Sequence, residues 1–570
     1  MKKAVLAIAL ILGAATALAV APKDTYVVMN FGDPVPDFDP SQIYDTSSSE
    51  VTENIYETLV TYKGASVKDY IPALGTDWKI TNGGRTYTFN LRKNVKFHSG
   101  NVMACDDAQW SFQRDMIITN ADAWGGTIFG DVFLGTVDNA KDDPAHWSWD
   151  KLTHAVSCNA QGQLVFNLTK TDPSFLSKLA FSSASVIDKK FAVAGGEWNG
   201  SEKTWKDWIG KTLHDSYLSE HPSGTGAYKM VSKNPTSYLF KAFDAYWGGK
   251  PALENVIIQK VNEESTRILA IQKGDADRIV LGNGRPSLAQ LQGASGVTIH
   301  DDLPNVVSNV VFLNQAIKGT EALGSGKFDG KGIPVNFFTD INVRKGFLAA
   351  FDYQKFIAQA QQGKGKIRTM ALPESFLGYD PTIQAPKFSL EAATSYLKKA
   401  WGGKVWENGF TIPAIYNTGN LQRQTVGEIL KANLEKINPK FHVLVQPQPF
   451  GTMNQLAAQG KLAIRIGGWS ADYPDPDDFL PIFYASYGYY SPSLGMKDTQ
   501  IDTLLRQAAS TTSVAKRVAL YKLVGARAAE LSPVILLPAP ITFDVTRSDL
   551  KGYYYNPILG GYVKWKDLSK

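Results

Sequence analysis

This sequence predicts an α/β protein of two to three lobes, and three observations carry that prediction. The chain has 570 residues, beyond the length at which a single hydrophobic core keeps growing. Apolar residues make up 44% and charged residues 20%, the balance of a soluble protein with ample material for buried cores. Strand-like and helix-like segments alternate through the second half, which is the pattern of an α/β lobe, whereas the first half is richer in strands and turns.

Taken in order, residues 1–21 read as a cleavable signal peptide. Lys2 and Lys3 form a charged start, Ala4 to Gly13 an apolar stretch, and Ala17-Leu18-Ala19 a small-x-small cleavage pattern. Cleavage is expected after Ala19, with Ala21 as the second choice and an uncleaved anchor as the competing reading. Thr86 to Leu91 alternate with period two, giving a strand with one wet face. "NVIIQKVN" and "LAIRIGG" are short, β-branched and bounded by turn residues, so both read as buried strands. "DINVRKGFLAAFDYQKFIAQAQQG" has helical spacing, with Asp340 as N-cap and Gly363 as stop. "SLEAATSYLKKAWGG" is a second helix between Ser389 and Gly402. "DTQIDTLLRQAAS" and "SVAKRVALYKLVGARAAEL" form a helical pair. Trp-rich connections such as "GGEWNGSEKTWKDWIGK" read as surface insertions whose indoles anchor loops. Cys105 and Cys158 are the only cysteines. They are either a disulfide of an exported protein or two buried thiols.

The chemistry concentrates in "GGWSADYPDPDDFL", Gly467 to Leu480. Pro474 and Pro476 exclude helix until Asp477. Asp475, Asp477 and Asp478 are therefore expected as turn and N-cap residues. "LAIRIGG" as a strand puts Trp469 to Asp472 just past its carboxyl end, where open α/β sheets bind ligands. Catalytic patterns fail. "GWSAD" carries aspartate where a nucleophile elbow needs its second glycine, and "SYLK" (Ser395 to Lys398) has no S-D-N or K-T-G partner. HExxH, P-loop and spaced Cys/His patterns are missing from the sequence. A glycoside hydrolase needs two carboxyls on opposing walls, whereas Asp472 and Asp475 share one proline-fixed turn. The formal charge is +5, with Lys and Arg scattered among acids, so nucleic acid is not the expected partner.

Six stretches in order resemble one family, the extracytoplasmic solute-binding proteins of peptide and nickel ABC transporters, family 5. They are "FDPSQIYDTSSSEVTENIYETLV", "IPALGTDWKITNGGRTYTFNLRKNVKFHSGNVMACDDAQWSFQR" (with "FHSG" for the usual "FHDG"), "GTGAYKM", "YWGGKPALENVIIQKVNEESTRILAIQKGDADRI", "INVRKGFLAAFDYQKF" and the aspartate-rich segment itself. The resemblance runs from about Tyr26 to Tyr562.

It implies a periplasmic-binding-protein-like flytrap (type II, cluster C) of two α/β lobes with an inserted small domain. Lobe I would comprise residues 22–60, 188–304 and 539–570, the small domain 61–187, and lobe II 305–538. Hinge crossings would lie near Asn305–Val311 and Leu536–Phe543. The implied function is the substrate-binding subunit of an ABC importer, which captures peptides and delivers them to membrane permease subunits. By position in the motif, Asp472 would pair with a peptide's α-amino group, with Trp469 as the adjacent apolar wall. Backbone groups of Gly467, Gly468 and Ser470 would meet the ligand main chain, and Asp45, Thr46, Ser47 and Ser48 would line the cleft near the N-terminus. Dipeptide binders also use an arginine for the ligand carboxylate. Arg344, on a helix like the family's structural segment, and Arg465, inside a strand, give no clear match. An oligosaccharide, with 13 Trp and 24 Tyr as stacking platforms, or a nickel chelate are the alternative ligands. The expected protein is a periplasmic monomer with no cofactor and no metal site.

Overall fold

A computed structural model describes residues 21–570 apart from 32–36, 44–45, 68, 119–126, 137–139, 141–142, 212–215, 283 and 560–562. The leader expected over residues 1–21 therefore lies outside the described residues except for Ala21.

Three sheets organise the chain. The first has seven strands in the order Val297–Leu303, Thr542–Arg547, Arg278–Ile279, Thr25–Asn30, Asn255–Lys260, Ser237–Ala242 and Tyr228–Asn234. It thus unites an N-terminal strand, a middle block and a C-terminal strand. "TYVVMN" (Thr25–Asn30) is buried along nearly its whole length, because it lies inside the sheet with parallel neighbours on both sides. The second sheet has five strands in the order Phe441–Gln448, Phe410–Asn417, Ile464–Ser470, Val307–Leu313 and Val534–Leu536. The helices Ile341–Ala350, Tyr353–Gln361, Leu390–Lys399 and Leu421–Ile437 contribute to the apolar cluster that covers it. A four-stranded antiparallel sheet, ordered Gly75–Thr81, Thr86–Leu91, Leu164–Asn167 and Val156–Cys158, lies in the chain between its first three strands and its middle block. Cys105 and Cys158 are joined there by a disulfide, with their Cα atoms 6.0 Å apart.

Between the seven- and five-stranded sheets the chain passes twice, after Leu303 and after Leu536. The Asn305 side-chain amide donates to Thr542 Oγ1 at 2.5 Å, tying the two crossings together. Beside them Lys364 Nζ meets Asp301 Oδ2 at 2.7 Å and Asp302 Oδ1 at 3.2 Å. The loops that follow Ile279 and Asn417, at the same ends of the two sheets, also touch. A Cβ added to Gly282 would sit 2.7 Å from the Gly419 carbonyl oxygen, and one added to Gly284 2.0 Å from Gln422 Nε2. The two halves are shut against each other at this point.

Two local expectations change. The helix expected from Asp340 to Gly363 is two helices, broken at Phe351. Asp352 ends the run because its carboxylate accepts from Lys355 N at 2.9 Å and caps a new helix. The strand expected over "LAIRIGG" runs instead from Ile464 to Ser470, because Val307 and Ser308 pair with Ser470 and Trp469. Tertiary pairing carries the strand beyond the point where local propensity would end it. Buried Trp198 and Trp205 anchor their loops as expected. Trp198 stacks on Trp110 at 6.4 Å.

Candidate functional site

The four aspartates have distinct partners. Asp475 caps the short turn Pro476–Asp478 by accepting from Asp477 N at 3.1 Å. Its two oxygens also receive both terminal nitrogens of Arg517, at 2.5 and 2.9 Å. This bidentate pair is of the strongest protein ion-pair type. Asp477 faces Lys178 Nζ at 3.5 Å, and Lys178 is held by Asp172 at 2.8 Å. Asp478 is buried and accepts from Trp469 Nε1 at 3.2 Å, Asp472 N at 2.7 Å and Tyr473 N at 3.4 Å. The turn-and-cap reading thus holds for Asp475, whereas Asp478 braces the backbone that carries Asp472. Asp472 itself is half-buried at the end of the strand.

The acids here crowd together. Among the described residues Asp172 and Asp477 meet Lys178, and Asp475 meets Arg517. Burial, followed by the charge of Asp475, pushes Asp477 well above the usual carboxylate range. Burial and then the charge of Asp472 do the same to Asp478.

A positive counterpart lies a few residues back along the same strand. Ile464–Ser470 is paired throughout with Val307–Leu313 on one side, but on the other meets Phe410–Asn417 only at Ile464 and Arg465. The strands then diverge, and the diglycine Gly467-Gly468 lies at the split. Arg423 straddles it, with Nη1 donating to Asn417 Oδ1 at 2.8 Å on one flanking strand and Nη2 to Asn309 Oδ1 at 3.2 Å on the other. A Cβ at Gly468 would meet Asn309 Oδ1 at 2.4 Å, so only glycine allows this approach. Tyr490 donates its hydroxyl to the Gly468 carbonyl at 2.5 Å.

Arg423 sits in the first turn of the 17-residue helix Leu421–Ile437, where Asn420 caps its backbone N–H at 3.0 Å. A cation at that end opposes the helix dipole, which favours an anion. Burial, followed by the neighbouring charge of Arg465, lowers Arg423 to about 10. Among the described residues no carboxylate pairs with Arg423 or Arg465.

The sequence-predicted residues land as follows. Gly467, Gly468, Trp469 and Ser470 are consecutive in the strand leading to Asp472. Trp469 is only 6% exposed, its indole edge-on to Tyr490 at 5.8 Å. Thr46, Ser47 and Ser48 begin the helix Thr46–Ile55, with Ser48 buried, while Asp45 lies outside the described residues. Arg344 is structural, donating to the carbonyls of Leu531, Phe338 and Thr339. Sequence reasoning missed Arg423. The available signal was an arginine in a helix's first turn directly after a strand.

Acids just past a strand tip and a guanidinium beside a diglycine thus lie along the strand Ile464–Ser470. The family described as bacterial extracellular solute-binding proteins, family 5 Middle, matches residues 69–491, and the chain belongs to it. It is a family of binding proteins and not of enzymes. Heme-binding protein A of Haemophilus influenzae is 26% identical over 541 residues, covering 93% of this chain and 90% of that one. Dipeptide-binding protein of Escherichia coli K12 is 24% identical over 530 residues, covering 90% and 88%. The periplasmic binding protein DppA from Helicobacter pylori, solved in complex with the peptide STSA, superposes with a TM-score of 0.77 at 21% identity, covering 96% of this chain and 98% of that one. The fold is accordingly the mixed α/β, type II periplasmic-binding-protein flytrap. Among the described residues no helix is long and apolar enough to cross a membrane, and no group of three or more His, Cys, Asp or Glu is placed to hold a metal ion.

Proposed function

We propose that this protein is the peptide-binding subunit of an ABC importer and holds short peptides by both termini. The observation that carries this reading is the pair of opposite charges along one strand. The acid cluster around Asp472 would take the α-ammonium, and Arg423, across Gly467-Gly468, the α-carboxylate. From Gly468 to Asp472 is four residues, at most about 13 Å at roughly 3.3 Å per strand residue. A peptide spans at most about 3.3–3.6 Å per residue, so the interval suits two to four residues. Backbone groups of Gly467 and Ser470 would serve the peptide's amides, and Thr46 to Ser48 would approach from the facing lobe.

The clamp divides as lobe I (22–60, 188–304, 539–570), small domain (61–187) and lobe II (305–538), with the Asn305–Thr542 region as hinge. A ligand touching both halves favours the shut form, which docks on permease subunits as a monomer. Export by cleavage of residues 1–21 completes the reading. Calorimetric titration of the purified, refolded protein with trialanine, maltotriose, nickel chloride and haemin tests it. Saturable binding of trialanine alone is expected, with a fall in radius of gyration. Binding of maltotriose, nickel or haemin with no response to trialanine would overturn it.

A further inference from the structure

We infer that Arg465 is a specificity residue that selects peptides with an aspartate or glutamate at the carboxyl end. This rests on the peptide reading above and deepens it. A peptide's α-carboxylate needs one guanidinium, and Arg423 supplies it. A second guanidinium, Arg465, lies close enough for its charge to act on Arg423, and among the described residues no acid matches it.

Arg465 is 5% exposed. Its side chain folds forward along the strand over Gly467. A Cβ built there would stand 3.1 Å from Arg465 Nε and 3.4 Å from its Cζ, so the first glycine of the diglycine is the space the guanidinium occupies. The guanidinium is flanked by the Tyr490 ring at 4.8 Å and the Phe312 ring at 5.3 Å. Aromatic faces offset part of the cost of desolvating a cation but none of its hydrogen-bonding demand. Of five N–H donors, Nη2 reaches Asn454 Oδ1 at 2.8 Å, and Nε is buried without an acceptor.

A buried, half-satisfied cation next to another cation is costly. A single α-carboxylate on Arg423 would leave that cost standing. A ligand with two carboxylates at this end matches both guanidinia. Tyr490 feels both: its hydroxyl is on Gly468, Arg465 also hydrogen-bonds to it, and both arginine charges act on it. A ligand at the diglycine is therefore within the field of both.

The test is calorimetric titration of the full-length mature protein with Ala-Ala-Glu and with Ala-Ala-Gln, which has nearly the same shape and no side-chain charge. The parent is expected to bind the glutamate peptide about tenfold more tightly or better, the scale of one charge-assisted hydrogen bond. Arg465→Gln is expected to bring the ratio close to one while leaving Ala-Ala-Gln affinity within about threefold, and Arg465→Lys to retain part of the preference. A parent ratio near one overturns the inference whatever the variants do, as does a preference that survives Arg465→Gln. Loss of selectivity for Ala-Ala-Glu amide, in which only the side chain is charged, separates Arg465 from Arg423. If neither tripeptide binds the parent, the peptide reading itself falls. If both bind equally, only the role of Arg465 falls.

Discussion

Replacing Asp472 with asparagine removes one negative charge and preserves shape. A hydrogen bond to a charged group contributes about 1.5–3 kcal/mol, which at about 1.36 kcal/mol per tenfold is a loss of roughly 10- to 150-fold in affinity. The structure places the expected value near the low end. Asp478, held through Trp469 Nε1 and the Asp472 backbone N–H, has its pKa raised by burial and then by the charge of Asp472. Removing that charge lets Asp478 ionise more readily and restore part of the attraction. We therefore expect about a tenfold weakening for trialanine and little change for N-acetyl-trialanine, which has no ammonium to lose. Titration of both peptides into parent and Asp472→Asn closes a thermodynamic cycle. Equal losses for the two peptides would refute the amine-anchor argument, because a charge effect specific to the ammonium cannot act on the acetylated ligand.

Arg423→Gln should weaken trialanine by about 10- to 100-fold but trialanine amide much less, read by the same titration. Arg517→Met leaves Asp475 partly buried without its bidentate partner. A stability loss of about 3 kcal/mol or more is expected in urea unfolding. The Cys105→Ser, Cys158→Ser variant opens a loop with a sequence separation of 53 and should lose about 4 kcal/mol on the chain-entropy scale. His98, whose pKa burial lowers to about 4, is neutral in the fold and takes up a proton on unfolding below about 6.5. Its contribution is complete above that pH and is lost progressively as pH falls toward about 4. The difference in melting temperature between parent and His98→Gln should therefore shrink over this window, and a constant difference would contradict it.

Much of the frame was legible in the sequence because its signals are local. The alternation of Thr86 to Leu91 gave a strand with those bounds. Asp340 and Ser389 cap helices as their spacing predicts, since an N-cap depends on residues two or three positions away. What was not legible is what distant chain segments supply. Lys178 reaches Asp477 from about three hundred positions away, and Arg517 reaches Asp475 from the helix Val514–Leu531. The strand at Trp469 and Ser470 exists because Val307 and Ser308 pair with it. Arg423 acquires meaning only once Asn309 and Asn417 flank the diglycine on neighbouring strands. The resemblance located Asp472 in a motif but could not show which acids around it were already neutralised.

The most direct test is a crystal structure of the protein grown with trialanine. The peptide ammonium should lie about 2.7–2.9 Å from an Asp472 oxygen, and its carboxylate on Arg423 over Gly467-Gly468. A bound peptide running the opposite way, or one whose ammonium has no aspartate within hydrogen-bonding distance, would contradict the account.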